Sequence, residues 1–297
     1  MSFGDFADRV LAPLHAALAH LPLPGMDLEP MRAALLAAVV VAPTCAALGV
    51  QVVTFRMAFF SDAVAHSAYT GVALGILAFG AGSSLGVTLA MVLVGLAVGL
   101  GVAALRERTR QTSDTLIGII FSAAVALGLV VVALASRKGL AAAIGPFLIG
   151  DALALTSGDL LVLCMLAGAV LAFEFAGYNR LLFIGLNPVL ARARGMRTAP
   201  WSYVFAALLA LVVTGSVQTV GVLVVSALLI APAAAARNVA RGAGGMFWWA
   251  IGFGVVSALA GAELSYILKS PPVGASMVLC ATLLYAASEG VRALRRG

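Results

Sequence analysis

The sequence predicts an all-α, polytopic membrane protein, a transmembrane bundle of eight or nine helices. Three observations carry that reading. Of 297 residues, 63% are apolar and 10% charged, with a mean hydropathy of +1.11; a soluble domain has about 45–50% apolar residues and roughly 25% charged ones. Apolar runs near the roughly 20 residues of one bilayer crossing follow one another along most of the chain. Most arginines stand in short clusters beside those runs, as in loops that orient a membrane protein. A water-soluble enzyme, a disordered chain and a disulfide-framed domain are excluded together. The net charge of +6 is accounted for by those loops and does not point to nucleic acid.

Residues 1–31 precede the bundle. FADRVLAPLHAALAHLPLPG has no basic start followed by an apolar core and a small-residue cleavage site, so it is not read as a cleavable signal. It reads as an amphipathic segment on the membrane surface, with His15 and His20 interfacial. The transmembrane domain then covers 32–290, with runs at 32–54, 59–79, 84–105, 115–136, 159–177, 201–216, 218–236, 247–267 and 273–290, and 291–297 form a basic tail. Helices are expected because no water satisfies backbone groups in hydrocarbon, and the runs are too long and too evenly apolar for barrel strands. The stretch 140–156 is interrupted by Gly145, Pro146, Gly150 and Asp151 and reads as a short or re-entrant piece. SVQT is the visible break in 201–236, which leaves the count at eight or nine. Cys45, Cys164 and Cys280 read as small core residues.

Arginines at 106, 108 and 110, at 180, 192, 194 and 197, at 237 and 241, and at 292, 295 and 296 form four clusters. All four lie in the cytoplasm if 140–156 does not cross and 201–236 makes two passes; Arg56 then lies inside as well, and the N-terminus outside.

The densest chemistry is RMAFFSDAVAHSAYTG, Arg56 to Gly71. Asp62 and His66 are four apart, so on a helix they share one face about 6 Å apart. Counted from Arg56, His66 lies ten residues in, about 15 Å, or half of a 30 Å core. Ionisable side chains at that depth face a bundle interior or a water-filled path. A carboxylate oxygen and an imidazole nitrogen are ligands for Zn²⁺ or Mn²⁺. Two are too few for a tetrahedral ion, and a two-fold homodimer would supply four. The competing reading is an intramembrane hydrogen bond that fixes helix packing.

Glu174 and Glu263 sit near predicted helix ends, where snorkelling or a packing hydrogen bond accounts for them. Asp114, Asp151 and Asp159 sit at starts or breaks of runs, where helix capping serves as well as metal contact. Pro232, in SALLIAPAAAAR, bends its span, and the alanines beside it admit a close neighbour, as suits a gating helix or a static bundle. LNPVLARARG, 186–195, is a short helix with Asn187 as cap, Pro188 at its first position and Gly195 closing it. Exposed Arg192 and Arg194 suit it to docking a soluble partner, or to anchoring at lipid headgroups. There is no phosphate-binding G-x-x-x-x-G-K-[ST] loop, no kinase set and no nucleophile elbow, so ATP-driven work requires a separate subunit.

Four blocks in order, MAFFSDAVAHSAYTGVALG, DTLIGIIFSAAVALGLV, VQTVGVLVVSALLIAPAAAAR and SPPVGASMVLCATLLYAAS, resemble the membrane permease of ABC-type divalent-metal importers, the zinc/manganese group, over about residues 32–290. The resemblance implies a non-enzymatic transporter subunit in a bacterial inner membrane, working by alternating access as a homodimer. It also implies a cytoplasmic pair of ABC ATPase subunits and an extracytoplasmic metal-binding protein. It places a transported ion, and no permanent cofactor, on Asp62 and His66, and makes 186–195 the helix that couples to the ATPase. Asn187 stands where members often have an acid, and Thr70 where some have proline. The MAFF lead leans to zinc; manganese and iron(II) are the alternatives within the family. A chelated-iron or corrinoid permease, an ATP-independent carrier and an intramembrane metalloenzyme are the rivals outside it.

Overall fold

A computed structural model describes residues 29–80, 82–109, 111–137, 156–268 and 273–295. Among them the chain forms ten helices and no strand: α1 Glu29–Thr54, α2 Phe60–Phe79, α3 Ser84–Arg108, α4 Ser113–Arg137, α5 Ser157–Leu186, α6 Pro188–Ala193, α7 Thr198–Val220, α8 Val222–Val239, α9 Ala243–Leu268 and α10 Val273–Leu294. All but α6 are long and apolar enough to cross a membrane. The expected surface segment with His15 and His20, and the interrupted stretch up to residue 155 with Asp151, lie outside the described residues.

Nine candidate spans stand among the described residues, within the expected eight or nine. The stretch 201–236 is two helices, but SVQT is not the break: it forms the end of α7, and the chain turns at Gly221 (φ 90°), a backbone angle that L side chains resist. The fifth span also differs from the expected 159–177, running on through Glu174 and Arg180 to Leu186. Glu174 is therefore not near a helix end; it stands mid-helix with 1% exposure. The start of α5 is capped reciprocally: Asp159 Oδ2 accepts from the Thr156 N–H (3.1 Å), and Thr156 Oγ1 accepts from the Asp159 N–H (3.3 Å). Asp159 thus has the capping role expected of it. At α4 the cap is Thr112, whose Oγ1 accepts from the Thr115 N–H (3.4 Å), with Asp114 in the first turn.

The described chain divides into two compact units. One comprises residues 51–150 and 175–218. Within it α2 packs against α3 and α4. Small residues make the approach possible: a Cβ on Gly71 would stand 2.6 Å from the Met91 Cα. Val72, Ile76, Val87, Met91 and Val131 fill the seam with α3 and α4. Thr70 adds a cross-helix tie, donating to the Ala124 carbonyl (3.1 Å), and Gly128 opposite leaves room for that hydroxyl. Where a proline would have freed a backbone carbonyl and bent the helix, α2 runs unbroken to Phe79.

The other unit comprises residues 1–50, 151–174 and 219–297. Here α8, α9 and α10 pack on one another, and Gly49 of α1 lies against the Leu229 backbone of α8. Pro232 sits inside α8, followed by Ala233, Ala235 and Ala236, each 0% exposed.

Candidate metal site and coupling helix

The site begins with the turn between α1 and α2. Phe55 and Met57 are 3% and 2% exposed, so the turn is tucked into its unit. Between them Arg56 takes φ 55°, the one positive φ outside glycine among the described residues. Helix α2 starts at Phe60, so His66 stands six residues beyond the helix start, about 9 Å of rise. The expected 15 Å counted the turn as helix.

Between Phe60 and Ile76 the helix is buried except at Asp62, His66, Tyr69 and Leu74. Spacings of four and three residues put Asp62, His66 and Tyr69 on one stripe. Apart from Leu74, the helix is enclosed over this stretch except along one half-buried line, which carries both expected metal ligands. The His66 ring meets the Phe121 ring of α4 edge-on, centroids 5.3 Å apart at 72°. The imidazole forms no hydrogen bond with the described residues. No group of three or more His, Cys, Asp or Glu that could hold a metal ion gathers among the described residues.

The loop after α5 folds as the short helix α6. Asn187 Oδ1 accepts from the Leu190 N–H (3.0 Å), Pro188 opens the helix, and Gly195 (φ 74°) closes it with its N–H donating to the Arg192 carbonyl (2.9 Å). Ala191 alone of the helix is buried; Leu186, Val189 and Leu190 are exposed at 71%, 75% and 42%. An apolar knob flanked by arginines is presented outward. Arg194 stacks over Phe183 (5.4 Å), and Arg192 pairs with Glu107 at the end of α3 (3.6 Å). Arg192 is thus exposed but not unpartnered. Below the pair lies a cavity of about 470 Å³, whose lining includes Arg56, Arg106, Asp114 and Ser202.

The structure puts Asp62 and His66 one turn apart on α2, and Asn187, Pro188 and Gly195 take the capping, first and closing positions read from the sequence. The sequence reading missed Phe121, Glu107 and Arg106. The run RERTR carried a signal for the last two, an acid embedded in a basic cluster; nothing local marks Phe121. Glu263, half-buried, lies near the end of α9 as expected, and the three cysteines are unpaired, Cys45 fully buried.

Comparison with known proteins agrees with this architecture. The description of the ABC 3 transport family matches residues 27–291. A manganese transport system membrane protein, MntC of Listeria innocua, is 31% identical over 86% of this chain and 88% of its own. A high-affinity zinc uptake system membrane protein, ZnuB of Haemophilus influenzae, is 33% identical over 86% of this chain and 95% of its own. The solved structure of PsaBC from Streptococcus pneumoniae in complex with Fab is similar with a TM-score of 0.73 and 26% identity, covering 94% of this chain and 95% of that one. The chain is a multi-pass membrane protein and belongs to the ABC 3 transport family, the permeases of zinc and manganese importers.

Proposed function

We propose that two copies of this chain form the path by which a divalent transition metal enters a bacterial cell, and that Asp62 and His66 of both copies hold the ion in transit. The observation that carries this reading is the stripe on α2, where an imidazole and a carboxylate one turn apart share a half-buried line of an otherwise buried helix. One chain supplies two ligands and a two-fold pair supplies four, the number a tetrahedral ion takes. An ion held for passage must also be released, which an incomplete site on each half allows when the halves part.

The partners follow from what the chain lacks and presents. It carries no nucleotide-binding motif, so ATP is bound and split by a separate pair of cytoplasmic subunits. The capped helix α6, with Leu186, Val189 and Leu190 outward, is the part that seats in them. The nine candidate spans among the described residues support that side: counted alone, they leave Arg56 and the clusters at 106–110, 192–197, 237–241 and 292–296 at the ends of odd-numbered spans, the cytoplasmic face by the positive-inside rule. A metal-binding protein on the opposite face delivers the ion. ATP binding and hydrolysis then drive alternating access through α6.

Zinc is the finer expectation, because imidazole suits it, while carboxylate oxygens accept manganese as well. Relatives named for manganese and for zinc stand equally near, so the donor set alone supports the ion's class. The test is uptake of radioactive zinc and manganese by cells whose only importer contains this chain. Asp62→Ala and His66→Ala, made separately, are expected to cut uptake roughly a hundredfold while the protein still reaches the membrane. Uptake unchanged in both variants would contradict the reading, and uptake by this chain alone in ATP-free proteoliposomes would replace it with a secondary carrier.

A further inference from the structure

We propose that Glu107 and Arg106, on the last turn of α3, are positioning residues that pass movement of α6 to the helix carrying Asp62 and His66. The inference rests on the function proposed above and adds the residues that link its two ends. From α6, the Arg192 guanidinium reaches Glu107 Oε2 at 3.6 Å. The other side-chain contacts of the α6 arginines reach only the adjoining ends of the spans that flank α6 in sequence: Arg194 with Phe183 of α5, and Arg192 Nε with Thr198 Oγ1 at the start of α7 (3.4 Å). Through Glu107 the arginines of α6 reach a span that does not adjoin it in sequence.

The next residue carries the link onward. Arg106 lies over the Phe55 ring, 4.8 Å to its centroid, with its guanidinium 3.5 Å from Met57 Sδ. Phe55 is also stacked on Phe205 of α7 at 5.4 Å, so the turn is gripped from two sides. The Met57 carbonyl accepts from the N–H of Phe60, the first residue of α2, at 3.0 Å, and Asp62 follows two residues later. A displacement at Glu107 thus reaches the root of the ligand helix through the half-buried Arg106 and the buried Phe55 and Met57, with Arg56 at φ 55° in the intervening turn.

Two features mark the link as serving movement rather than stability. The ion pair is half open to solvent, with side-chain exposures of 58% and 21%, a setting in which such pairs stabilise little. The cavity of about 470 Å³ beside it leaves Arg192 and Glu107 room to shift without repacking apolar side chains.

The experiment uses the chain with its ATPase subunits and binding protein in proteoliposomes, reading radioactive zinc or manganese taken up per ATP hydrolysed. Glu107→Arg and Arg192→Glu are each expected to lower that ratio about tenfold while ATP hydrolysis continues, and the double exchange to restore most of it. Glu107→Gln, which keeps the shape, is expected to lower the ratio while the ATPase still co-purifies. An unchanged ratio in Glu107→Arg, an exchange no better than the single variants, or loss of the ATPase from Glu107→Gln would overturn the proposal. His66→Ala runs beside them. Uptake lost there with the ratio intact in Glu107→Arg condemns the link alone. Normal uptake in His66→Ala condemns the ligand assignment, whatever Glu107 does.

Discussion

Two arginine-rich helix ends in this molecule are built in opposite ways. Where α3 meets α6, one ion pair of 3.6 Å spans the elements, a cavity of about 470 Å³ lies beside it, and the Arg56 side chain has no polar partner among the described residues. Where α8 meets α10, the polar groups are knotted. Asn238 donates to Ser288 Oγ and Glu289 Oε1, both at 3.0 Å, and accepts from Arg292 at 3.2 Å; Tyr285 donates to Glu289 (3.1 Å), and Arg295 to the Val239 carbonyl (2.9 Å). Both ends are basic, so charge does not distinguish them; connectivity does. A network with every member engaged fixes one arrangement, whereas a single half-exposed pair permits several. The difference teaches where the chain is rigid. Pro232 stands between two packed stretches of α8: Val224, Val225, Leu228 and Leu229 before it are buried, and Asn238 after it is tied to α10.

Substitutions break or sharpen that contrast. The largest expected effect lies beyond the loose end, on the helix it leads to, where loss of Asp62 or His66 is expected to cost roughly a hundredfold in uptake. At the fastened end, Asn238→Ala is expected to lower stability by about 2 kcal/mol, because it strips partners from Ser288, Glu289 and Arg292 together; thermal unfolding in detergent checks it. Reversing charge at Arg192 and Arg194 together is expected to lower metal moved per ATP about tenfold while the dimer still assembles; unchanged stimulation of the ATPase by loaded binding protein would contradict it. Pro232→Ala is expected to slow uptake by roughly threefold with little change in unfolding temperature, and equal loss of both would make α8 a static element. The smallest effect is on the stability of Glu107→Gln, within about 0.5 kcal/mol of the parent. A loss there as large as that of Asn238→Ala would erase the distinction between the two ends.

Much of this was legible in the sequence because the bilayer makes helix formation a matter of composition. The spans, the stripe of Asp62 and His66, and the capped helix from Asn187 to Gly195 all follow from local pattern. What escaped depends on residues far apart in the chain. The fifth span seemed to stop near residue 177 because Arg180 reads as a boundary, yet its guanidinium lies over the Trp201 ring of α7 at 5.4 Å, and the helix continues. The helical rise counted from Arg56 to His66 was too long because a turn held by buried Phe55 and Met57 has the same hydropathy as a helix. Glu107 looked like one more charge in a basic loop until Arg192 was placed against it, and Phe121 is indistinguishable by composition from any lipid-facing phenylalanine.

The most direct trial of the central claim is a metal-soaked crystal of the assembled dimer, with anomalous scattering recorded at the zinc and manganese edges. The account predicts one peak on the two-fold axis, within bonding distance of an Asp62 oxygen and a His66 nitrogen from each copy. A peak elsewhere in the bundle, or Asp62 and His66 facing lipid with no ion between the copies, would contradict it.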